Sequence, residues 1–442
     1  MEKAVEMCRH RQLRAWLHGS RSHARRIAAV GAFVVLLSAV LPSCGQRTGP
    51  SAVGPPTSLP TSPTVTATSS IPTPSVTPAS WRRIVVPSFL GGSAVWDGKE
   101  VLVVHSGSTW DKKANVERCY ERAAGYNPST NSWRNLPPVP RITAKECEFG
   151  SSDDVLWTGT EMLLWGATNS AYDPTTNSWR RVTDPPMREL SPQVVVWTGR
   201  QMIGWGTLDC CDIAGTDGVA FNPATGVTTR LPYSPLSGGG GPSAVWTGQE
   251  MIVAGGGVPE ASPAVIYSEA AAYHPATRTW STLPPMPISR MGGTALWDGD
   301  EVLILGGWGG ANTEREPKAG PSHVLARGVA YDPSTNRWRW LAAPAFPRDG
   351  AVYAWDGREV LMWGGLGLDG RVPPHGEAYD PATDTWSSLP RAPLRGRVDA
   401  DSVWTGTELI IWGGIDARTA TPDGSWKPLS DGAAFTPASP SG

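Results

Sequence analysis

The sequence predicts an all-β fold in which seven similar four-stranded sheets stack around a common axis. Two short motifs alternate from Trp81 onward, and the chain between them divides into short β-rich runs separated by turn-forming Gly, Pro, Asn and Asp. The 442 residues include 50 Gly and 42 Pro, but also 22 Trp, which argues against low-complexity disorder. Residues 81–442 are therefore predicted to form one folded domain.

The first motif is Trp-Asp/Thr-Gly and the second is Tyr/Phe-x-Pro. Each occurs seven times at a mean spacing of about 51 residues, and repeats of this length are typical of β-propellers. The first motif begins at Trp96, Trp157, Trp197, Trp246, Trp297, Trp355 and Trp404, and the second at Tyr126, Tyr172, Phe221, Tyr273, Tyr331, Tyr379 and Phe435. The alternation predicts seven repeating units.

Each unit is predicted to contain four short strands. In the first unit these are residues 93–96, 100–104, 123–126 and 132–136. Gly98 permits the positive φ of a tight turn between the first two strands, and Pro128 favours a turn between the last two. One such sheet buries too little surface to be stable, so neighbouring sheets must stack, with the recurring aromatic side chains between them.

The last unit lacks a recognisable fourth strand. A Trp stands seven residues after the Tyr or Phe in five units, while the third unit has Thr228 there and the seventh runs into Gly442. Residues 81–84 (Trp-Arg-Arg-Ile) match the fourth strand of unit one, residues 133–136 (Trp-Arg-Asn-Leu). We therefore predict a seven-bladed β-propeller closed by the N-terminal strand, which covers an otherwise exposed sheet edge.

The repeats resemble a known family. Trp-Asp/Thr-Gly-x-Glu followed by an apolar strand and Gly-Gly, at 297–307, 355–365 and 404–414, is similar to the kelch repeat. The seven units together resemble the kelch propeller of the galactose oxidase type over roughly residues 81–437. The resemblance implies the fold, but kelch propellers serve as oxidases, sugar isomerases and protein-binding scaffolds alike.

A copper-radical oxidase of this family needs two His, two Tyr and a Cys bonded to one of the Tyr. Here His323 and His375 fall in connections of the fifth and sixth units, and Tyr353 could approach them. No Cys lies in those units, so we expect neither a metal nor another cofactor.

The N-terminal segment is predicted to direct export. Residues 1–26 carry seven Lys or Arg against two acids, and an apolar run follows at 27–41. Cys44 after Leu41-Pro42-Ser43 resembles the lipidated Cys of a bacterial lipobox, although Pro42 departs from the usual pattern. The alternative is an uncleaved membrane anchor, but about fifteen apolar residues are short for a span that needs ~20. We expect a signal peptide at 1–43 and a lipid anchor on the outer face of the cell membrane.

Residues 44–80 are predicted to form a stalk. Among residues 45–80, eight are Pro and fifteen are Ser or Thr, with no periodic apolar pattern that could offset the entropy of ordering. Pro-rich chain favours extended polyproline II, so this segment would hold the folded domain away from the membrane.

Strand direction predicts two different rims. The turns of both motifs share one rim, whereas the connections after the second and fourth strands share the opposite rim. The second set varies from a few residues to about twenty, and function usually resides on such loops held by a rigid scaffold. The predicted function is non-catalytic binding of a small anionic ligand or a protein partner on this variable rim, by a monomer. The alternative is an extracytoplasmic enzyme acting on a sugar or sugar acid.

Five arginines, together with His323 and His375, are the candidate ligand-binding residues of the variable rim. Arg290, Arg348 and Arg397 each stand seven residues before their unit's Trp, and Arg141 and Arg188 lie at looser offsets. Guanidinium groups converging on a channel mouth would bind carboxylates through paired hydrogen bonds. Alternatively, they pair with local acids such as Asp349 and Asp399, or brace neighbouring sheets. The recurring Glu100, Glu161, Glu250, Glu301, Glu359 and Glu408 are expected to be structural.

The cysteines fit an oxidising compartment. Cys119 and Cys147 both map to the variable rim, where a disulfide is plausible, and Cys210 and Cys211 are adjacent. The adjacent pair could form a vicinal disulfide, serve a redox or metal role, or pair elsewhere. A net charge of −2 gives no electrostatic basis for binding nucleic acid.

Overall fold

A computed structural model describes residues 78–87, 92–111, 116–140, 154–165, 169–182, 192–206, 215–258, 265–309, 323–367, 369–373, 375–420 and 426–438. The signal-peptide region, Cys44, nearly all of the stalk, Arg141, Arg188, Cys147, Cys210 and Cys211 lie outside these residues. Every helix or strand found in the described part is a β-strand. That part accordingly contains no helix long and apolar enough to cross a membrane.

The strands are numbered in chain order. The first half contains β1 (Ser80–Ile84), β2 (Ser93–Trp96), β3 (Val101–Asp111), β4 (Val116–Asn127), β5 (Ser132–Asn135), β6 (Asp154–Trp157), β7 (Met162–Trp165), β8 (Ser170–Asp173), β9 (Ser178–Arg181), β10 (Val194–Trp197), β11 (Met202–Trp205), β12 (Gly218–Asn222), β13 (Val227–Arg230), β14 (Ser243–Trp246), β15 (Met251–Ala254), β16 (Gly257–Val258), β17 (Val265–Ile266) and β18 (Ala270–His274).

The second half continues the pattern. It contains β19 (Thr279–Thr282), β20 (Arg290–Met291), β21 (Thr294–Trp297), β22 (Val302–Leu305), β23 (Trp308–Gly309), β24 (His323–Val324), β25 (Val329–Asp332), β26 (Arg337–Trp340), β27 (Arg348–Trp355), β28 (Val360–Gly367), β29 (Glu377–Asp380), β30 (Thr385–Ser388), β31 (Asp401–Trp404), β32 (Leu409–Trp412), β33 (Ile415–Ala420), β34 (Trp426–Pro428) and β35 (Gly432–Thr436).

Seven antiparallel sheets of four strands form within the described residues. We number them in chain order: sheet 1 is β2-β3-β4-β5, sheet 2 is β6-β7-β8-β9, sheet 3 is β10-β11-β12-β13, sheet 4 is β14-β15-β18-β19, sheet 5 is β21-β22-β25-β26, sheet 6 is β27-β28-β29-β30, and sheet 7 is β31-β32-β35-β1. The remaining strands form small added sheets: β16-β17, β20-β23-β24 and β33-β34. The prediction of an all-β fold built from small antiparallel sheets is confirmed.

The outer strand of sheet 7 comes from the beginning of the domain. Strand β1 pairs antiparallel with β35, so that Trp81 lies opposite Phe435 and Ile84 opposite Gly432. The Trp81 ring packs 4.9 Å from the Phe435 ring, centroid to centroid. Trp81 therefore occupies the place that an outer-strand Trp such as Trp133 takes beside Tyr126 in sheet 1.

Buried side chains join each sheet to the next. Separate clusters lie between sheets 1 and 2, 2 and 3, 3 and 4, 4 and 5, 5 and 6, and 6 and 7. A further cluster lies between sheets 7 and 1, where Trp412 and Ala434 meet Val103 and Tyr126. The core is therefore divided among sheet interfaces, as expected for sheets that cannot bury a face alone.

Local chemistry explains both recurring turns. In the first turn of sheet 1, Asp97 Oδ1 accepts hydrogen bonds from the Lys99 and Glu100 backbone N–H groups, at 2.7 and 2.6 Å. Where the motif has Thr, as at Thr158, the hydroxyl accepts the same bond from Glu161 N–H at 2.9 Å. This shared ability explains why Asp and Thr alternate in the motif.

The second turn depends on the phenol of the motif Tyr. Tyr126 Oη donates to Asn131 Oδ1 at 2.9 Å, and Asn131 holds the turn at a φ of 49°. Sheet 3 has Phe221 in place of Tyr, and Gly226 takes the positive-φ position there. Asn131 thus combines an acceptor for the phenol with the positive φ of the turn, whereas Arg278 holds this φ in sheet 4 and glycine holds it in sheet 3.

Asp401 links sheets 7 and 1 through a bond that depends on pH. Its Oδ2 accepts a hydrogen bond from Gly92 N–H at 3.1 Å. Burial raises the pKa of Asp401 to about 6, because the single backbone bond offsets only part of the cost of burying the charge. The folded chain therefore holds this proton up to a higher pH than the unfolded chain does.

We expect the Asp401→Asn variant to lose this contribution to the pH profile. A raised carboxyl pKa stabilises the fold most below about pH 4, and that stabilisation is lost as the pH rises to about 6. Urea unfolding from pH 4 to 7 should show wild type losing stability relative to the variant by roughly 2–3 kcal/mol, at 1.36 kcal/mol per pKa unit. The exposed Asp369→Asn variant serves as control, and parallel profiles for Asp401→Asn and wild type would contradict the prediction.

Candidate functional site on the variable rim

The antiparallel pairings separate the turns onto two rims, as the sequence predicts. We call the rim that carries both motif turns, for example 97–100 and 128–131, the turn rim. The opposite rim carries the connections between second and third strands and between consecutive sheets, and we call it the variable rim. All three added sheets lie on the variable rim, because β16-β17, β23-β24 and β33-β34 each interrupt a connection between second and third strands.

The longest regular feature on the variable rim is the hairpin of β3 and β4. Strand β2 pairs with β3 only as far as Val104, but β3 and β4 remain paired up to Asp111 opposite Val116. The seven further pairs extend about 23 Å past the inner strand at ~3.3 Å per residue. The sequence predicts only 100–104 and 123–126 for these strands, because the extension lacks the apolar run that marks a buried strand.

Aromatic and charged side chains meet at the base of this hairpin. The rings of His105 and Tyr120 lie 6.0 Å apart, and the Arg122 guanidinium stands 5.0 Å from the Tyr120 ring centroid. The predicted disulfide candidate Cys119 lies farther along the same hairpin, opposite Ser108. Its pairing with Cys147 stays a prediction, since Cys147 is not among the described residues.

The arginines predicted to bind an anion are buried instead. Arg290, Arg348 and Arg397 are 1%, 1% and 0% exposed. Each donates through one Nη to the carbonyl of the first Gly in the Gly-Gly pair of its own unit: Gly306, Gly364 and Gly413. The expectation that these groups open onto a channel mouth is therefore corrected, because their donors are directed at internal carbonyl and carboxylate groups.

Two of these arginines also have carboxylate partners, of which Glu377 is buried and Asp431 is partly exposed. Arg348 Nη2 donates to Glu377 Oε2, and both side chains are almost fully buried. Arg397 Nη2 donates to Asp431 Oδ1 at 2.7 Å. Burial lowers the pKa of both arginines, and the carboxylates offset part of that effect. These partners differ from the expected Asp349 and Asp399. Strand pairing places the beginning of the third strand, where Glu377 and Asp431 stand, next to each arginine.

Arg290 has a less complete set of partners. Its Nη2 donates to the Arg327 carbonyl at 2.7 Å, but its Nε has no partner within the described part of the chain. Arg348 and Arg397 instead use Nε to bond the carbonyl two residues earlier, at 2.8 and 3.0 Å. Burial without a carboxylate lowers the pKa of Arg290 to about 10.

Two of these arginines also join neighbouring sheets, because their backbone carbonyls accept hydrogen bonds from glycines of the preceding sheet. Gly256 N–H, after the second strand of sheet 4, donates to the Arg290 carbonyl at 2.9 Å, and Gly365 N–H donates to the Arg397 carbonyl at 2.8 Å. Gly255 and Gly256 adopt φ of 73° and 95°, which lets the chain pass close to the next sheet. Arg290 and Arg397 therefore brace neighbouring sheets, an alternative interpretation that the sequence left open, whereas the side chain of Arg348 bonds groups of its own unit.

The two candidate histidines do not form a metal centre with the described residues. His323 is exposed and lies opposite Gly309 in the added sheet of unit five. The His375 carbonyl accepts a bond from Arg348 at 3.1 Å, and its ring meets the Phe346 ring at 5.6 Å. Nowhere in the described ranges do three or more His, Cys, Asp or Glu side chains come together as a possible metal site.

The recurring glutamates are structural, as expected. Four of them bind the Arg that follows the outer-strand Trp or its equivalent: Glu100 with Arg134, Glu161 with Arg180, Glu301 with Arg339, and Glu408 with Arg82. Three of these arginines also reach the phenol of the next sheet, as Arg82 reaches Tyr126 at 3.0 Å. Sheet 6 has Ser387 in the Arg position, and burial raises the pKa of its Glu359.

Comparisons with known proteins agree with this architecture. No family model matches the chain. It is 32% identical to human Kelch-like protein 34 over 128 residues, which cover 27% of this chain and 19% of that protein. It is 29% identical over 186 residues to Kelch-like protein terF of Aspergillus terreus, covering 39% and 38% of the two chains. A putative F-box/kelch-repeat protein of Arabidopsis thaliana is 29% identical over 112 residues, 24% of this chain and 31% of that protein.

A solved structure extends the likeness to most of the domain. A fungal alcohol oxidase of the AA5 family, in complex with copper, matches with a TM-score of 0.56 and 14% identity over 83% of this chain and 76% of that chain. At this identity the likeness concerns the fold alone. Together with the partial matches to curated relatives, which span less than two fifths of those proteins, it supports a kelch-type β-propeller of galactose oxidase-like architecture.

Proposed function

We propose that this chain is an exported lipoprotein whose seven sheets form a closed seven-bladed propeller that binds a partner on the variable rim. The pairing of β1 with β35 and the buried cluster between sheets 7 and 1 support ring closure. The basic and apolar N-terminal segment and Cys44 support export and lipidation. In this arrangement the stalk at 44–80 holds a monomeric propeller outside the cell membrane.

The hairpin of β3 and β4 is the observation that carries the binding proposal. A two-stranded ribbon beyond its sheet adds no core, yet leaves backbone groups on both edges of the extension for a partner strand. The hairpin also carries Trp110, Tyr120 and two arginines, and Tyr, Trp and Arg are enriched where proteins bind one another. A protein partner therefore fits this rim better than the small anion first expected, since three of the arginines proposed for that anion are buried.

Site-specific crosslinking in cells of the source organism tests the proposal. A photoreactive residue at Ser108, on the hairpin, is expected to give a discrete adduct with one protein partner, while the same residue at Thr160, exposed on the turn rim, gives none. Removing residues 107–120 should abolish partner binding but leave thermal stability close to wild type, because sheet 1 keeps the pairing of its strands up to Val104 and Ala123. Adducts from Thr160 alone, or equal binding by the shortened variant, would contradict the proposal.

The second candidate is an extracytoplasmic enzyme acting on a sugar or sugar acid. The similar fold of the copper-bound alcohol oxidase is the observation that favours this second candidate. Metal analysis of the purified chain, with assays for turnover of sugars and sugar acids, decides between the two. One bound metal per chain together with turnover would replace the non-catalytic proposal.

A further inference from the structure

A cleft of about 390 Å³ opens on the turn rim, at the junction of sheets 7 and 1. Its walls include the outer strand β1, the first turns of both sheets and the second turn of sheet 1. Clefts of this size are common for small-molecule ligands. The main polar and aromatic side chains that line it are Arg82, Trp96, Lys99, Ser129, Thr407 and Glu408.

The cleft carries one uncompensated positive charge. Arg82 and Glu408 neutralise each other through two hydrogen bonds, of 3.0 and 2.6 Å. Lys99 is exposed, and no described residue pairs with its ammonium group. A free ammonium beside a neutral ion pair favours an anionic group, with the ammonium acting as a point charge.

Trp96 gives the cleft a flat apolar wall. The half-buried Trp96 side chain packs against the buried cluster between sheets 7 and 1 and also lines the cleft. Its Nε1–H has no partner among the described residues, so it stays available as a donor. The hydroxyl groups of Ser129 and Thr407 lie on the walls as well. A flat wall, several hydroxyls and one cation suit a ring-shaped, hydroxylated carboxylate.

We infer that this cleft binds a hexuronate, either free or at the end of a glycan. The carboxylate would face Lys99, the apolar face of the sugar ring would cover Trp96, and the sugar hydroxyls would bond Ser129 and Thr407. The inference goes beyond the proposed function, which concerns the opposite rim, and it stands whether or not a protein binds there.

Calorimetric titration of the full-length chain in detergent tests the inference. Galacturonate is expected to bind at one site, with galactose and inorganic phosphate each at least about tenfold weaker. Galactose lacks the carboxylate that would face Lys99, and phosphate lacks the sugar ring that would cover Trp96. The Lys99→Gln variant should weaken galacturonate binding about tenfold. The control is Arg200→Gln, which removes one charge from the equivalent turn of sheet 3 and should leave binding within twofold of wild type.

Trp96→Phe offers a second variant that keeps an aromatic ring in the core cluster. It should weaken galacturonate more than phosphate, because only the sugar uses the indole face. An oligosaccharide that ends in galacturonate then distinguishes the free sugar acid from the end of a glycan. Tighter binding of the oligosaccharide than of free galacturonate assigns the site to glycan ends. No binding of galacturonate by wild type, phosphate binding as tight as galacturonate, or unchanged binding by Lys99→Gln would each overturn the inference.

Discussion

Replacing Arg348 with Met is expected to lower the free energy of unfolding by about 3–5 kcal/mol, because it breaks a buried ion pair. Glu377 is 2% exposed and would keep its carboxylate in the interior without a counter-charge. The carbonyls of Phe346, Gly364 and His375 would also lose a donor. Urea denaturation followed by intrinsic Trp fluorescence measures the loss.

Two further variants separate charge from packing. Arg358→Met removes an exposed guanidinium whose nearest carboxylates lie 3.8 and 3.9 Å away, so it should cost less than about 1 kcal/mol. The double variant Arg348→Met/Glu377→Leu should recover part of the stability, since it leaves no uncompensated buried charge. A single Arg348→Met variant within 1 kcal/mol of wild type would show that the ion pair contributes little.

The Gly255→Ala substitution is expected to have a similarly large effect, of about 3–5 kcal/mol. Gly255 has a φ of 73°, and a Cβ at this position would overlap the carbonyl oxygen of Arg290 in the next sheet. The new side chain would therefore impose backbone strain and also push sheets 4 and 5 apart. Thermal unfolding measured by circular dichroism should show a clear fall in Tm.

Gly370→Ala is the matched control for that substitution. Gly370 has a φ of 72°, but no atom lies within 4 Å of the position that its Cβ would occupy. It should cost only the conformational strain, about 1–2 kcal/mol. Equal losses for the two variants would mean that the close approach of neighbouring sheets at Gly255 does not matter.

Both predictions concern the contacts between the paired glycines and the buried arginines on the variable rim. The paired glycines adopt positive φ on the variable rim, and each arginine side chain bonds the glycine pair of its own unit. The carbonyls of Arg290 and Arg397 also accept a bond from the glycine pair of the preceding unit. Residues that looked like a ligand site therefore support the loops on which a ligand or partner would bind. A variant such as Arg348→Met would disturb partner binding only through the position of those loops.

Sequence periodicity was sufficient to predict the strand content, the motif turns and the partner of the first strand. The prediction worked because turn chemistry is local: Asp97 accepts from backbone N–H groups within three residues, and Asn131 accepts from the Tyr126 phenol five residues earlier. The matching of residues 81–84 to residues 133–136 worked for a related reason, since six of the seven outer strands carry a Trp that packs on the Tyr or Phe of its sheet. The structural role of the recurring Glu residues followed from their fixed place after the first turn.

The partners of the arginines could not be obtained in that way. A regular offset before the motif Trp is compatible with an open rim or with a buried brace, and nothing local distinguishes the two. Only the folded chain brings Glu377 and Asp431, separated from their arginines by 29 and 34 residues, within hydrogen-bonding distance. The sequence did not predict the extension of the β3–β4 hairpin. Its two strands pair with each other beyond the sheet, where no hydrophobic periodicity is needed.

The amino-acid sequence by itself determined the repeating four-stranded unit, its two turns and the contrast between a regular and a variable rim, because those features depend on neighbouring residues. The tertiary structure alone decided which charged groups are buried, which segments of the variable rim project outward and where a cleft opens on the turn rim. Those outcomes depend on distances between sheets, and such distances arise only when separate parts of the chain pack together.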